Sequence, residues 1–185
     1  MSSIEACDDE KKWFAMRVTY QRELIAKEKL DSIGIESFVP TLRIKRADKS
    51  GKPVWKRVAA LHNYIFIHST REAVDDIKKY RIPWLRYVMS HKERESKAPL
   101  YVPDKEMLNF IAIAGKEDEK ILFLSDDEVN LAAGDKVRIL AGPFEGVEGV
   151  YVKLKVKGAR RVVVRIDGIA TVATTTIAAR LVEKI

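Results

Sequence analysis

The spacing of apolar residues changes character near residue 134, and this change divides the chain in two. Before it, short apolar runs alternate with segments in which apolar residues recur every three or four positions, the spacing of one buried helix face. After it, helical spacing stops and apolar residues alternate with polar ones, as in half-buried strands. The first part therefore predicts an α+β domain, and the second part predicts a small all-β domain.

In the first part the predicted elements follow the order strand, helix, strand, strand, helix, strand, helix. The first six form the β-α-β-β-α-β series of a ferredoxin-like sandwich, and the seventh is an extra C-terminal helix. The predicted strands cover residues 13–18, 35–46, 53–68 and 84–89. The three helical stripes are Ala26, Leu30 and Ile33, then Ala73, Ile77 and Tyr80, then Met107, Ile111 and Ala114.

Residues that favour helix ends lie at the boundaries of the first two helices. Thr19 is predicted to cap the first helix, and Gly34 to end it in a left-handed conformation. Ser69 and Glu72 form a capping-box pattern before the second helix. Pro83 prevents that helix from continuing, because proline lacks the amide hydrogen that a helix interior requires.

In the second part, strands are predicted at 135–140, 147–156, 161–166 and 169–174. The pair Asp167-Gly168 is typical of a two-residue hairpin, since a type I′ turn needs positive φ at both central positions. Several short strands in succession predict a small barrel, because closure protects strand edges from further pairing.

The charge distribution supports the same division. The formal net charge is +7, and residues 116–133 are acidic, with six acidic and two basic side chains between two basic segments. We therefore expect a disordered N-terminus at 1–11, a domain at 12–115, an acidic linker at 116–133 and a second domain at 134–185. The middle of the linker, residues 121–124, is apolar, and we expect it to dock on one of the domains.

The composition predicts a cytoplasmic protein that binds polyanions. Hydrophobic residues make up 46% and charged residues 33%, which is the balance of a globular chain. No apolar run approaches the length of a membrane span, and Met1 to Lys12 has no secretory-signal pattern. The one cysteine, Cys7, can form no internal disulfide, as expected in a reducing compartment. A basic balance favours polyanionic partners.

Signatures of enzymes are absent from the sequence. His62, His68 and His91 show no metal-ligand spacing with cysteines or carboxylates. Residues 142–146 are glycine-rich but lack the Gly-Lys-Ser/Thr ending of a phosphate-binding loop. We therefore expect no catalysis, no cofactor and no metal.

The second part resembles the KOW motif of NusG-type transcription factors. The resemblance rests on residues 134–150, in which a strand is followed by the turn Gly142-Pro143-Phe144 and then by Gly149. The first part resembles the N-terminal domain of the same family. The matching pieces are Trp13-Phe14, Phe38-Val39-Pro40, Asn63-Tyr64-Ile65-Phe66-Ile67 and residues 82–88.

The resemblance implies that the N-terminal domain receives the clamp helices of RNA polymerase. The residues implied in this polymerase-binding surface are Tyr64, Phe66, Tyr87 and Phe38. In strand geometry Tyr64, Phe66 and His68 point to one face. An exposed apolar patch of this kind usually marks a partner site. The alternative is that these aromatic residues are ordinary core.

A basic hairpin, residues 43–57, is the second candidate site. With this charge it could follow phosphates while Trp55 stacks on a base, and the family places it near the transcription bubble, so non-template DNA or nascent RNA is implied. The alternative is a solvated hairpin. The candidate nucleic-acid-binding residues are Arg43, Lys45, Arg46, Lys49, Lys52, Trp55, Lys56 and Arg57.

The loop of the KOW motif is the third candidate site, with Pro143, Phe144 and Glu145. The resemblance implies a second partner here, either a small-subunit ribosomal protein or the termination factor Rho. The alternative is that Phe144 plugs one end of the barrel. A stripe of Lys153, Lys155 and Lys157 could bind RNA or form the wet face of an edge strand.

The function implied is that of a monomeric transcription elongation or antitermination factor. The pair Asn63-Tyr64 and the basic hairpin favour a specialised paralogue, similar to RfaH or UpxY, that acts on specific operons. The alternative is an RNA- or ribosome-binding KOW protein without a polymerase role.

Overall fold

The computed structural model describes residues 10–90, 98–117, 120–125, 128–154 and 158–185. Cys7, His91, Lys155 and Lys157 lie outside these ranges. The chain divides into two compact units, one formed by residues up to 39 with 61–104 and the other by residues 40–60 with 105–185.

The helices and strands follow one another along the chain in a fixed order. They are β1 Lys12–Val18, α1 Glu23–Ser32, β2 Ser37–Phe38, β3 Thr41–Ala47, β4 Pro53–Ala59, β5 Tyr64–Ser69, α2 Arg71–Asp76, β6 Leu85–Tyr87, β7 Tyr101–Val102, α3 Asp104–Ala114, β8 Leu122–Leu124, β9 Asp135–Ile139, β10 Glu148–Lys153, β11 Arg160–Ile166, β12 Ala170–Ala173 and β13 Val182–Lys184.

The first unit contains an antiparallel sheet of strand order β2-β5-β1-β6, with β7 also paired to β1. β3 and β4 form a separate two-stranded hairpin between β2 and β5. Without the hairpin and β7, the elements follow the β-α-β-β-α-β series. The predicted ferredoxin-like sandwich followed by a C-terminal helix is therefore confirmed.

The first helix begins later than the sequence predicts. α1 starts at Glu23, and neither Thr19 nor any other side chain caps it. The predicted Thr19 cap is wrong because Tyr20 adopts left-handed backbone angles, φ 60° and ψ 37°, which separate Thr19 from the helix. At the other end, Gly34 has φ +70° and ends the helix as predicted.

The second helix is capped one residue later than predicted. Thr70 is the capping residue, and its hydroxyl accepts a hydrogen bond of 3.3 Å from the backbone N–H of Ala73. Ser69, the predicted cap, is instead the buried last residue of β5. After α2 the chain continues as a π-helix over Ile77–Arg81 and stops before Pro83, as expected.

The second unit contains a six-stranded sheet of order β13-β9-β10-β11-β12-β8. Its core cluster includes Val152, Leu154, Val163 and Ala173, supplied by the alternating apolar positions that the sequence shows. β8, from the predicted linker, pairs with β12, so the expectation that residues 121–124 dock on a domain is confirmed. The all-β C-terminal region agrees with the predicted fold class.

Two glycines show how the strands of this unit approach one another. A Cβ on Gly149 would lie 2.6 Å from the carbonyl oxygen of Val163 on β11, so only glycine fits between the two strands. Between β11 and β12, residues 167–169 form the connection and only Gly168, at φ +71°, has positive φ. The predicted two-residue type I′ turn at Asp167-Gly168 is therefore wrong, because that turn requires positive φ at Asp167 as well.

Glu148 joins α3 to β10 within the second unit. Its carboxylate lies 2.6 Å from Lys105 Nζ and 2.7 Å from Arg138 Nη2. Its backbone N–H donates a 3.0 Å hydrogen bond to Asn109 Oδ1. The hydrogen bonds that the carboxylate accepts from Lys105, the larger cause, and from Arg138 hold the pKa of Glu148 below its usual range.

Among the described residues, no helix is long and apolar enough to cross a membrane.

Candidate functional site

Strand register decides which aromatic residues of the first sheet share a face. Tyr64 of β5 is aligned with Arg17 of β1, and Phe66 with Ala15. Phe38 of β2 is aligned with Phe66 from the other side. Because aligned residues in neighbouring strands point the same way, Tyr64, Phe66 and Phe38 lie on one face of the sheet.

Tyr87 lies on the opposite face. It is aligned with Met16 of β1, and its ring centroid is 5.8 Å from that of Phe14. The prediction that Tyr87 joins Tyr64 and Phe66 in one pocket is therefore wrong. The physical reason is the register of β6 against β1, because a shift of one residue moves a side chain to the other face.

α2 holds Tyr87 in place on that opposite face. The Tyr87 hydroxyl donates a 3.0 Å hydrogen bond to Asp75 Oδ1, while Lys78 and Arg71 lie 4.0 and 4.8 Å from its ring centroid. Burial and the hydrogen bond to Asp75 raise the pKa of Tyr87. Burial alone would raise the pKa of Asp75, but the hydrogen bonds from Tyr87 and the two cations outweigh it and lower that pKa. Tyr87 thus contributes to helix–sheet packing.

Tyr64 and Phe38 are the partly exposed members of the predicted polymerase-binding set on the first face. Phe66 is fully buried, whereas Tyr64 and Phe38 are half-buried. Arg17 donates a 3.2 Å hydrogen bond from Nη2 to the Tyr64 hydroxyl, and its guanidinium lies 5.5 Å from the ring centroid. Sequence reasoning missed Arg17, because its partner is set by strand pairing between distant segments.

Register also sorts the basic hairpin into two faces. Arg43 is aligned with Arg57 and Lys45 with Trp55, so these four residues share one face. The other face is mainly aliphatic, with Leu42, Ile44, Val54 and Val58 half-buried beside the exposed Arg46 and Lys56. Lys49 and Lys52 are exposed at the tip. The eight predicted residues are therefore distributed over two faces and a tip.

Trp55 is the centre of the first of these faces. Its side chain is 58% exposed, an unusual position for a large aromatic ring. Arg43 Cζ and Lys45 Nζ lie 5.8 and 5.1 Å from the ring centroid, within range of cation–π attraction. The arrangement presents an open aromatic surface with two positive charges at its edge, suited to stacking on a base while neutralising phosphates.

Arg57 has an acidic partner that the sequence did not indicate. Its Nε–H donates a 2.5 Å hydrogen bond to Glu117 Oε1, and the Thr41 hydroxyl donates to the same oxygen. The hydrogen bond from Thr41, followed by that from Arg57, holds the pKa of Glu117 below its usual range. Arg57 is thus engaged with a carboxylate, and Arg43 and Lys45 are the cations beside the tryptophan.

Asp48 shapes the tip of the hairpin. Its Oδ1 accepts hydrogen bonds from the Ser50 N–H at 2.8 Å, the Ser50 hydroxyl at 2.7 Å and the Lys52 N–H at 2.9 Å. The bond from the Ser50 hydroxyl contributes most to a lowered pKa for Asp48. Gly51 supplies the positive φ, +81°, that the turn needs. The predicted turn at 49–52 is confirmed.

The loop of the KOW motif presents less surface than the sequence suggested. Phe144 is 1% exposed, so its side chain belongs to the core of the second unit. Gly142 and Gly146, at φ +95° and +81°, turn the chain on either side of it. This burial agrees with the alternative in which Phe144 plugs the barrel, and it leaves Pro143 and Glu145 as the exposed predicted contacts.

A short basic surface lies on β10 and β11. Lys153 and Arg160 are aligned across the two strands and exposed. Arg160 Cζ lies 5.6 Å from the ring centroid of Tyr151, whose hydroxyl donates a 2.7 Å hydrogen bond to the Ile177 carbonyl.

No group of His, Cys, Asp or Glu in the described ranges has the arrangement of a metal site.

The fold, the aromatic sheet face and the basic hairpin define a class of two-unit α+β proteins. Comparison with known families identifies the class. Residues 11–111 match the family described as "NusG: Transcription termination factor nusG". Because the match spans more than half of the chain, the chain belongs to the NusG family of transcription factors, a non-enzymatic family.

No curated protein matches the chain. Among solved structures, the NusG of Thermotoga maritima, from a study of "Domain interaction in Thermotoga maritima NusG", is similar at 22% sequence identity with a TM-score of 0.45. That similarity covers 95% of this chain and 98% of the Thermotoga chain.

Proposed function

We propose that the protein is a transcription elongation or antitermination factor that binds RNA polymerase through its N-terminal domain, residues 12–115. The face of the first sheet that carries Tyr64 binds the clamp helices of the polymerase, and the hairpin of residues 43–57 contacts nucleic acid at the transcription bubble. The KOW domain, 134–185, binds a second partner, and residues 116–133 connect the two. The protein acts on specific operons.

The observation that carries this proposal is the exposed Trp55 between Arg43 and Lys45. A solvated hairpin has no need of a tryptophan that is 58% exposed, since leaving that ring in water forgoes the free energy of burying it. The same ring is suited to stacking on unpaired bases. Membership of the NusG family, whose match includes both the hairpin and the first sheet, supports placing this contact on transcribing polymerase.

The mechanism is one of differential binding. A factor that binds elongating polymerase more tightly than paused polymerase shifts the equilibrium between these two states towards elongation. The size of the shift equals the difference between the two binding free energies. A contact of the hairpin with the unpaired strand would add affinity for polymerase that carries an open bubble, and it would favour elongation by as much as that contact is stronger in the elongating than in the paused complex. A second partner on the KOW domain, a small-subunit ribosomal protein or Rho, would raise the effective concentration of the factor. Pro143 and Glu145 are the loop residues open to that partner.

Capture of RNA polymerase by the full chain tests the docking surface. Wild type is compared with Tyr64→Ala, Arg17→Ala and Tyr101→Ala, with folding checked by circular dichroism. Tyr101 is the control, because it is 55% exposed and aligned with Phe14 on the other face. We expect loss of capture with Tyr64→Ala and Arg17→Ala and normal capture with Tyr101→Ala. Equal capture by all four proteins contradicts docking at Tyr64.

An RNA-binding KOW protein without a polymerase role is the second candidate. The aligned Lys153 and Arg160, exposed beside Tyr151, are the observation that favours it. Under this alternative, wild type binds RNA, Lys153→Ala and Arg160→Ala weaken that binding, and no polymerase is captured. Capture of polymerase with unaltered RNA binding in the two variants excludes it.

A further inference from the structure

The carboxylate of Glu117 lies at the base of the hairpin, on the face that carries Trp55. Thr41 and Arg43 are two positions apart in β3 and point to this face, and Arg43 is aligned with Arg57 of β4. The Thr41 hydroxyl and the Arg57 Nε–H both donate hydrogen bonds to Oε1 of Glu117, the second at 2.5 Å. A residue sixty positions from Arg57 along the chain thus brings a negative charge to the face proposed to meet nucleic acid.

The two donors that meet Glu117 are of the kind that hold phosphate oxygens. Arginine N–H groups and hydroxyls are common hydrogen-bond donors to the phosphates of nucleic acids. The hydrogen bond from Thr41 lowers the pKa of Glu117 most, and the hydrogen bond and charge of Arg57 and the charge of Arg43 add to this effect and outweigh burial. Glu117 is therefore an anion at neutral pH, and it occupies a place that suits an oxygen of another anion.

The hairpin itself has no acid available for this place. Residues 41–59 contain seven lysines and arginines and one acidic residue, Asp48. Asp48 lies at the tip, where Oδ1 accepts hydrogen bonds from the backbone N–H groups of Ser50 and Lys52. The negative charge at the base comes instead from Glu117, which follows the end of α3.

The pair formed by Glu117 and Arg57 is open to exchange with an incoming anion. The Arg57 side chain is 65% exposed and that of Glu117 is 19% exposed, so a ligand in solution can reach both. Ion pairs with an exposed partner contribute modestly to stability, because water screens them. Rotation of the Glu117 side chain can withdraw its carboxylate while β3 and β4 stay paired.

We propose that a phosphate-binding site lies at the base of the hairpin, formed by Thr41, Arg43 and Arg57. In the free protein Glu117 occupies this site, and a phosphate of the bound strand displaces its carboxylate. The site is two strand positions, about 7 Å, from Trp55, so one strand can stack a base on the ring and place a phosphate here. The inference rests on the proposed contact of the hairpin with nucleic acid. It adds an internal competitor that keeps binding weak for nucleic acid met away from polymerase.

Binding of a short fluorescent single-stranded DNA to the full chain tests the competitor. Glu117→Gln keeps the shape of the side chain and removes its charge. Glu106→Gln, at an exposed residue of α3, removes the same charge elsewhere. We expect Glu117→Gln to bind the DNA roughly 3- to 10-fold more tightly than wild type, and Glu106→Gln to stay within about twofold of wild type. Circular dichroism checks that each variant is folded.

A double-mutant cycle shows whether Arg57 receives the phosphate. Arg57→Gln should weaken binding by roughly threefold or more in the Glu117→Gln protein than in wild type, where the carboxylate already neutralises the guanidinium. Lys56→Gln is the matched control, because Lys56 is the preceding residue of β4 and points to the other face. Its effect on affinity should be the same in both backgrounds.

The outcomes separate this site from the hairpin contact on which it rests. Tighter binding by Glu117→Gln with coupling to Arg57 supports the site, whereas tighter binding without coupling overturns it as a general effect of charge. Equal affinities of Glu117→Gln and Glu106→Gln, when Trp55→Ala weakens binding, overturn the phosphate site and leave the hairpin contact in place. DNA binding that neither Trp55→Ala nor Glu117→Gln alters overturns both.

Discussion

Tyr64 and Tyr87 lie on opposite faces of the first sheet, because Tyr64 is aligned with Arg17 and Tyr87 with Met16, the preceding residue of β1. One face therefore carries the candidate polymerase contact, and the other carries a tyrosine bound to Asp75. A substitution of Tyr64 should therefore impair polymerase binding, whereas a substitution of Tyr87 should lower the stability of the fold.

Replacing Tyr87 by phenylalanine should lower stability without affecting polymerase binding. The substitution removes the hydrogen bond to Asp75 while keeping the ring beside Lys78 and Arg71, a loss of about 1 kcal/mol. Urea unfolding followed by circular dichroism measures it, and capture of polymerase serves as the control. Loss of capture by a folded Tyr87→Phe protein would place the docking surface on the helix-bearing face instead.

The two faces of the hairpin should differ in their effect on nucleic-acid binding. Arg43→Ala and Arg46→Ala remove the same charge, but only Arg43 lies beside Trp55. We expect Arg43→Ala to weaken binding of a single-stranded oligonucleotide roughly three- to tenfold more than Arg46→Ala does. Titrations at two salt concentrations check this. Each variant lacks one positive charge, so the salt dependence of binding should fall by the same amount in both, and the remaining difference in affinity reports the contact with Trp55. Equal affinities would show that charge alone determines binding.

Glu117 should stabilise the second unit in a pH-dependent way. Its pKa is lowered in the folded state, first by Thr41 and then by Arg57. Its contribution is therefore present above the ordinary carboxyl pKa and is lost as the pH falls through the lowered folded value. Glu117→Gln should cost about 0.5 to 1.5 kcal/mol at pH 7 and less at pH 3. Thermal unfolding at both pH values measures this, with Glu145→Gln as the control, and a difference that grows on acidification would contradict it.

Gly149→Ala should destabilise the second unit. Replacing glycine by alanine usually stabilises a chain by restricting its unfolded state, by about 0.4 to 1 kcal/mol. Here the new Cβ would lie 2.6 Å from the Val163 carbonyl oxygen, so β10 and β11 must separate. We expect a net loss of about 1 to 3 kcal/mol in urea unfolding. A gain in stability would mean that the strands can move apart without cost.

Features set by short stretches of sequence were predictable. Of the predicted stripe of α1, Ala26 and Leu30 are fully buried, as helical spacing implies, whereas Ile33 lies just after the helix and is exposed. The turn at 49–52 and the docking of residues 121–124 follow from glycine, charge and hydrophobicity in segments of a few residues. The family resemblance added the order of the two domains, which local patterns do not supply.

Features set by pairing between distant segments were not predictable. The face occupied by Tyr87 depends on the register of β6 against β1, and the partner of Arg57 is Glu117, sixty residues along the chain. The sequence left open whether Phe144 meets a partner or enters the core, and the structure shows that the glycines around it allow the ring to be buried. The left-handed Tyr20 has no local signal, since tyrosine ordinarily avoids that conformation.

The central claim is that the protein acts on transcribing RNA polymerase, and single-round transcription with purified bacterial polymerase tests it most directly. The full chain is added to halted elongation complexes on a template with a pause site and a terminator. We predict shorter pauses or more readthrough with wild type, and a smaller effect with Tyr64→Ala and with Trp55→Ala. Unchanged pausing and termination with folded wild-type protein on templates from its own operons would contradict the account.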